Sequence, residues 1–274
     1  MSGKLYVVGT PIGNLSDFSP RAIETLRNVD FIAAEDTRVT AKLLNHFDIK
    51  KPMLSYYEHN KKEKGGDIIA RLLGGEICAL VSDAGMPAIS DPGEDLVRMC
   101  YENGIEVESV PGPSALITAL AISGMKSGRF CFEGFLSVNK QSRRIHLNEI
   151  KNEQRTMIFY EAPHKLSATL KDMYEALGNR KIALVRELTK IHEEVIHTTL
   201  KEASTMYSDT KPRGEFALII EGNQKDSRKT EYTIEQAVKI AKEYMADGNS
   251  ASTSARLAAE DTGLKKGDIY KLIN

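Results

Sequence analysis

The sequence predicts an α/β protein made of two successive α/β domains and a small helical, helix-turn-helix-like tail. Three observations carry that prediction. Apolar runs and amphipathic segments alternate in the order βαβαβαβαβ up to about residue 112, the pattern of a largely parallel sheet. A second set of apolar runs starts at "RFCFEGFL", and two of its members flank "TKIH" so closely that they read as a hairpin, which makes that sheet mixed. The polar stretch "NQKDSRKTEY" then reads as a linker before three short helical segments. The expected division is 1–112, 113–224 and 230–274, in keeping with the length of 274 residues.

The elements follow in order. "KLYVV" is a buried strand that runs into "GTPIGNL", whose glycines suit a loop where a ligand touches backbone. In the helix "SPRAIETLRNV", Ser19 is the N-cap, Pro20 takes the first helical position, and Ile23, Leu26 and Val29 share one face. "FIAAED" is a strand, "VTAKLLNHF" a helix, "MLSYY" a strand and "GGDIIARLLGG" a helix bounded by glycine. The strand "ICALVSD" leads through the loop "AGMPAISDPG" to helix "EDLVRMCYENG" and strand "IEVESV". After the turn and apolar helix of "PGPSALITALAISG", the second domain contributes the strands "RFCFEGFL", "TMIFYEAP", "KIALVREL", "EEVIHTTL" and "GEFALIIEG". In the tail, "TIEQAVKIAKEYMADG" is amphipathic, "SASTSARLAAEDTG" runs from capping serines to Gly263, and "KKGDIYKLIN" is the last helix. Two short helices joined by a glycine turn form a helix-turn-helix pattern. That pattern serves a nucleic-acid reader or a packing cap equally well, because the tail's charges balance.

Composition excludes several classes. The chain is 41% hydrophobic and 27% charged, ordinary for a globular protein, and 37 basic against 38 acidic residues leave a net charge of −1. A general polyanion-binding surface is therefore not indicated, although the balance is compatible with a local patch. Cys78, Cys100 and Cys131 form neither a CxxC clip nor an even disulfide set, so they read as small buried residues of a reduced, cytoplasmic protein. The N-terminus has no secretory pattern, and the apolar stretch "ALITALAIS" is well short of the roughly 18 residues that span a membrane.

In an open parallel sheet, ligands bind beyond the carboxyl ends of the strands. Four loops leave those ends: "GTPIGNL", "AEDTRVT", "SYYEHN" and "SDAGMPAISDPG". The last is the most unusual, with Asp83, Gly85, Pro87, Asp91, Pro92 and Gly93 in eleven positions, a make-up that presents backbone groups to a zwitterionic ligand. Asp91, before Pro92 and Gly93, suits a turn role. Ser114 starts a helix, where free amides favour a carboxylate or hydroxyl. The histidines show no metal spacing, no serine sits in a nucleophile elbow, and no phosphate-binding glycine motif is present. No metal is expected. His164 in "YEAPHKL" follows a strand and is either a substrate contact or a solvated helix start. The basic run "KQSRRIHLNEIK", with Arg143 and Arg144, is either a solvated helix or a strip that meets phosphates.

Eight motifs then occur in order: "GTPIGNLSD", "AAEDTR", "LVSDAGMPAISDPG", "PGPSALITAL", "FEGFL", "FYEAPHKL", "VRELTK" and "GEFALIIEG". Together they resemble the bacterial 16S ribosomal RNA cytidine ribose 2′-O-methyltransferases, of the tetrapyrrole-methylase fold or class III of the S-adenosylmethionine-dependent methyltransferases. The resemblance covers essentially the whole chain. It implies a homodimer that methylates the ribose of decoding-centre cytidine 1402 in the small ribosomal subunit. S-adenosylmethionine is then expected in the cleft between the two α/β domains. Pro11 and Gly13 would lie on its floor; Asp83, Gly85, Met86, Ile89, Ser114 and Ala115 would hold the methionine portion. Phe159 and Tyr160, with Glu215, Phe216 and Ala217, would border the adenosine. The segment "VNKQSRR" departs from the proline- and glycine-bearing basic segment of the family.

A ribose hydroxyl needs a general base as it attacks. Asp36 with Arg38 is the expected catalytic pair, and its rival role is a salt bridge that shapes the cleft. Glu35, Glu58, His59 and Glu161 are the other candidate bases, while Arg38, Arg186 and Lys190 could hold phosphates. Two rival functions keep part of this reading. One is a class III methyltransferase for a corrin precursor or the diphthamide intermediate. The other is a regulator that binds DNA through the tail.

Overall fold

A computed structural model describes residues 3–208, 212–224 and 232–274 of the chain. It forms two compact units, Met1–Asn223 and Gln224–Asn274. The linker expected at 223–232 lies largely outside the described residues.

The first unit contains two five-stranded sheets. The first sheet is built from β1 (Lys4–Val8), β2 (Phe31–Ala34), β3 (Met53–Ser55), β4 (Ile77–Val81) and β5 (Glu106–Val110). All its pairings are parallel, in the order β3-β2-β4-β1-β5. Helices α1 (Pro20–Asn28), α2 (Thr37–His46), α3 (Lys61–Leu73) and α4 (Gly93–Glu102) connect the strands. From β1 to β3 the chain moves one way along the sheet, and from β3 to β5 it moves the other way. Right-handed crossovers therefore place α1 and α2 on one face and α3 and α4 on the opposite face. Packing agrees: Ala22, Leu26 and Leu44 meet Val8, Ile32 and Val81, whereas Ile68, Leu72 and Leu96 meet Leu5, Phe31 and Leu80. Cys78 and Cys100 are fully buried in the second of these clusters.

Local chemistry marks the helix starts. Ser19 accepts a hydrogen bond from the Ala22 amide with Pro20 behind it, as expected. Helix α3 starts at Lys61, upstream of the glycine pair that was expected to bound it, because Ile68, Ile69 and Leu72 bury a face long enough to carry Gly65 and Gly66 within the helix. Strand β3 ends at Ser55 rather than Tyr57; the Asn60 amide group bonds Ser55 O and the Tyr57 amide and turns the chain there.

The second sheet comprises β6 (Phe130–Phe135), β7 (Thr156–Glu161), β8 (Lys181–Arg186), β9 (Glu194–Thr199) and β10 (Phe216–Ile220). Its order is β6-β7-β10-β8-β9, with β6 parallel to β7 and every other pair antiparallel, so the sheet is mixed and β8–β9 is the expected hairpin. Helices α6 (Lys140–Glu149), α7 (Leu166–Leu177) and α8 (Leu200–Met206) cover one face, and α5 (Ala115–Ile122) packs on the other.

Arg143 corrects an expectation. It occupies the buried side of α6, where its guanidinium meets Asp172 at 2.6 and 2.7 Å and donates to the carbonyls of Ser137 and Val138. With its donors committed inside the fold, it is a structural anchor rather than a phosphate contact. Arg144 is exposed and loosely paired with Glu175 at 3.4 Å.

The second unit packs α9 (Ile234–Ala246), α10 (Ala251–Thr262) and α11 (Lys266–Ile273) around Ala237, Ala241, Ala255, Ala258 and Ile269. Thr233 forms a capping box with Gln236, Ser250 caps α10, and Gly263 closes α10 in the left-handed region at φ 72°. Among the described residues no helix is long and apolar enough to cross a membrane.

The Arg143–Asp172 pair sets a stability prediction. Arg143→Ala strands a buried carboxylate and should cost about 3–5 kcal/mol in urea unfolding, whereas the double change Arg143→Met/Asp172→Leu should recover most of the loss. Equal losses in both variants would contradict the anchoring role.

Candidate functional site

The site is assembled from loops at the carboxyl ends of β1, β4 and β5. Where the direction of travel reverses, neighbouring strands β1 and β4 send their connections apart and open a crevice. Thr10 and Gly85 close its base with two backbone hydrogen bonds, Thr10 N to Gly85 O at 2.9 Å and Gly85 N to Thr10 O at 3.1 Å. Gly9 passes Gly112 so closely that a Cβ on Gly9 would stand 2.6 Å from the Gly112 Cα. Gly13 lies against the turn after β8: a Cβ there would be 2.6 Å from the Lys190 Cγ and 3.0 Å from Leu188 O. The glycines of this loop thus serve chain-to-chain approach, and neither Pro11 nor Gly13 lines the crevice. Ile12 between them does, and it also packs on the α5 side of the second sheet.

The crevice opens into a cavity of about 480 Å³ between the two sheets. Asp83, Gly85, Met86 and Ile89 line it from the loop after β4, and Ser114 and Ala115 from the start of α5. Opposite them stand Tyr160, Glu215, Phe216 and Ala217. Phe159 does not reach it. Successive strand residues point to opposite faces, so Tyr160 turns toward the cavity while Phe159, 1% exposed, is buried under α7. The lining residues that carried no single-site signal in the sequence include Leu188, Val185 and Phe135. Phe135, the end of "FEGFL", is exposed and rests on the Tyr160 ring at 5.5 Å.

Among the described residues, five carboxyl groups line the cavity (Glu35, Asp83, Asp91, Glu161 and Glu215), and no Lys, Arg or His does. Asp91 has the expected turn role, accepting from the amides of Ala88 and Gly93. Glu161 is buried with both oxygens engaged, by the Ala162 amide and the Thr169 hydroxyl. Glu215 pairs with Lys190, which also holds Glu187. Glu35 and Asp83 form a clasp: Glu35 Oε2 accepts from the Asp83 amide at 3.4 Å, and Asp83 Oδ1 accepts from the Asp36 amide at 3.1 Å. Ser114 stands at the N-cap of α5 without a side-chain capping bond, and it lines the cavity with Ala115, while the Leu116 amide meets the Tyr160 hydroxyl. The arrangement suits a cation that also carries a carboxylate.

Asp36 does not line the cavity. It caps α2 and grips Arg38, with Oδ1 accepting from the Arg38 amide at 2.8 Å and Oδ2 from the guanidinium at 2.6 Å. The Arg38 guanidinium holds the Asp36 carboxyl down at about 2, which makes it a very weak base. The expected catalytic base is therefore corrected to the rival role, an ion pair at the rim. Glu35, one residue earlier, behaves oppositely: burial pushes it up, and the charges of Asp83, Asp91 and Asp36 add to that. The remaining predicted contacts are peripheral. Glu58 is paired with Lys61 at 2.8 Å, His59 and His164 are exposed, and Arg186 is held by Arg213 O and Glu194. Among the described residues no cluster of three or more His, Cys, Asp or Glu could hold a metal ion.

Comparison with known proteins places this architecture. The family of tetrapyrrole (corrin/porphyrin) methylases matches residues 4–204. A relative from Synechocystis, "Ribosomal RNA small subunit methyltransferase I", is 47% identical over 98% of this chain and 97% of its own length. The protein of that name from Halalkalibacterium halodurans is 48% identical over 98% of this chain and 94% of its own. The one from Thermotoga maritima is 49% identical over 222 residues, 81% of this chain and 100% of its own. Among solved structures, a diphthine synthase superposes with a TM-score of 0.61 at 13% identity, over 80% of this chain and 90% of that one. A Thermus thermophilus uroporphyrin-III C-methyltransferase complexed with S-adenosylhomocysteine gives 0.54 at 18% identity, over 79% and 97%. With two sheets facing one cavity and relatives near half identity along the whole chain, this protein belongs to the tetrapyrrole methylase family.

Proposed function

We propose that this chain methylates the 2′-hydroxyl of a cytidine ribose, decoding-centre cytidine 1402, in the 16S RNA of the small ribosomal subunit, with S-adenosylmethionine as donor. A cytoplasmic homodimer is part of the same reading. The shared name of the near-full-length relatives supports the RNA substrate. The observation that carries the chemistry is a cavity lined, among the described residues, by five carboxyl groups and no basic side chain.

Bound S-adenosylmethionine supplies an electrophilic methyl on a sulfonium, whose sulfur leaves as a neutral thioether. The residues present fit it. Asp83 keeps its second carboxylate oxygen for a positively charged partner, and Ser114 with the first amides of α5 receives a carboxylate. Tyr160, Leu188 and Ala217 supply an apolar wall for a nucleoside. Holding donor and acceptor in one enclosure supplies much of the acceleration of such a displacement.

The same carboxylates repel phosphodiesters. Only sugar and base are therefore admitted, and the RNA backbone stays at the rim. There Arg38 exposes 88% of its side chain, oriented by Asp36 for a phosphate. The second unit adds exposed Lys265, Lys266 and Lys271 near the turn between α10 and α11. The Thermotoga relative spans 222 residues against the 274 here, a difference close to the length of the second unit. We assign the reaction to the first unit and part of the RNA affinity to the second.

Two outcomes follow. Labelled methyl transfer to unmethylated small subunits, read by nucleoside mass spectrometry, should yield 2′-O-methylcytidine at one site; a base-methylated product or no RNA product would sink the assignment. A chain ending at Asn223 should still bind the cofactor and transfer methyl, with subunit affinity reduced on the order of tenfold and a shallower salt dependence. Unchanged affinity would remove the second unit from RNA recognition.

A further inference from the structure

We infer that Glu35 is the group that accepts the proton of the ribose hydroxyl, an inference that rests on the ribose-methylation reading above. Three observations lead to it. First, Glu35 follows β2 directly and is half-buried in the cavity wall, so the sheet, rather than a mobile loop, fixes its backbone. Second, its carboxylate is oriented but not consumed: Oε2 faces the Asp83 amide, while Oε1 takes no partner among the described residues. Third, the other carboxyl groups are committed. Asp91 locks its loop, Glu161 is saturated by Ala162 and Thr169, Glu215 is ion-paired with Lys190, and Asp36 is held outside by Arg38.

Asp83 is the remaining rival, and its environment suits the complementary task. Burial pushes Asp83 up as it does Glu35, and the Asp36 charge adds to that; the Asp36 amide on Oδ1 and the nearby Arg38 favour its ionised form, and Arg38 exerts no such pull on Glu35. Two carboxyl groups in one clasp then divide the work: Asp83, the one with Arg38 beside it, faces the ligand's cation, while Glu35, surrounded only by acidic groups, exchanges a proton. The groups facing Glu35 are Asp83 and Asp91 from the loop after β4 and Asp36 at the start of α2. All are acidic, and with burial they raise its proton affinity toward the range useful to a general base.

In the step assigned to it, the O2′–H bond breaks and an O–H bond forms at Glu35 Oε1. The electron pair on O2′ forms the bond to the methyl carbon, and the carbon–sulfur pair stays on sulfur. One proton leaves the reacting groups and carries away the single positive charge of the sulfonium. Glu35 afterwards releases its proton to solvent.

Glu35→Gln and Glu35→Asp test the inference by three readouts. In single-turnover methyl transfer to small subunits, Glu35→Gln should lose roughly 100-fold or more, with S-adenosylmethionine affinity within about threefold of wild type. The wild-type rate should fall as pH drops through a value above the ordinary carboxylate range; that limb should vanish from the residual Glu35→Gln rate and survive in Glu35→Asp. Without RNA, calorimetric titration of S-adenosylmethionine in buffers of different ionisation enthalpy should show proton release from wild type at acidic pH, and less from Glu35→Gln. A Glu35→Gln rate within about threefold of wild type, an unchanged acid limb or unchanged proton release would overturn the inference. So would Asp83→Asn abolishing transfer with full cofactor affinity. If Glu35→Gln does not fold, the acid limb of Glu35→Asp decides: an unmoved limb overturns it. Failure of the wild type to methylate subunits would instead refute the ribose-methylation reading, and the proton-release measurement would stand apart from that result.

Discussion

The base of the cavity hangs on two backbone hydrogen bonds between Thr10 and Gly85, 2.9 and 3.1 Å long. They join the loops leaving β1 and β4, the neighbouring strands whose connections run to opposite sides of the sheet. Nothing in the parallel ladder itself extends that far, because β1 ends at Val8 and β4 at Val81. Once the two loops are joined, the rest has little freedom. The Thr10 hydroxyl also donates to Ser82 O, so the residue before Asp83 is held as well. Asp83 then reaches the end of β2 through the Asp36 amide. A single turn of backbone pairing thus ties β1, β2 and β4 to one rim.

Charge follows from that geometry. Strand ends that converge bring their following side chains together, and here three of those side chains are Glu35, Asp83 and Asp91. Like charges in a half-closed space are costly unless something positive arrives or a proton stays. Among the described residues no cation lines the cavity, so a cationic ligand or a retained proton relieves that cost. Arg38, its side chain 88% exposed, is instead held toward solvent by Asp36, which separates a cation-seeking interior from an anion-seeking edge. On the proposed reading, in which a polyanionic RNA inserts one neutral sugar, this division is what the chemistry needs.

Much of this was legible in the sequence, because much of it is local. Ser19 with Pro20, Ser250 and Gly263 mark helix ends by their own hydrogen bonds or backbone angles, and each lies where it was read. The spacing of apolar runs sufficed for both sheets, including the hairpin around "TKIH". What was not legible depends on which way a side chain turns. Phe159 and Tyr160 are adjacent letters of one motif, yet the strand's period of two places them on opposite faces. Arg143 and Arg144 make the same point on a helix: one turns inward to Asp172, and the other is exposed. Asp36 was a plausible base until its neighbour two residues on proved to occupy it. The loop glycines carried the opposite error, since Gly9 and Gly13 are spent on neighbouring chain rather than on a ligand.

Calorimetric titration of S-adenosylmethionine into wild-type protein and Asp83→Asn tests the acidic cavity most directly. The account predicts one site per chain in wild type, weakened about tenfold or more when the Asp83 charge is removed, the scale of one charge-assisted hydrogen bond. Absence of binding in wild type, or equal affinity in the two proteins, would contradict it.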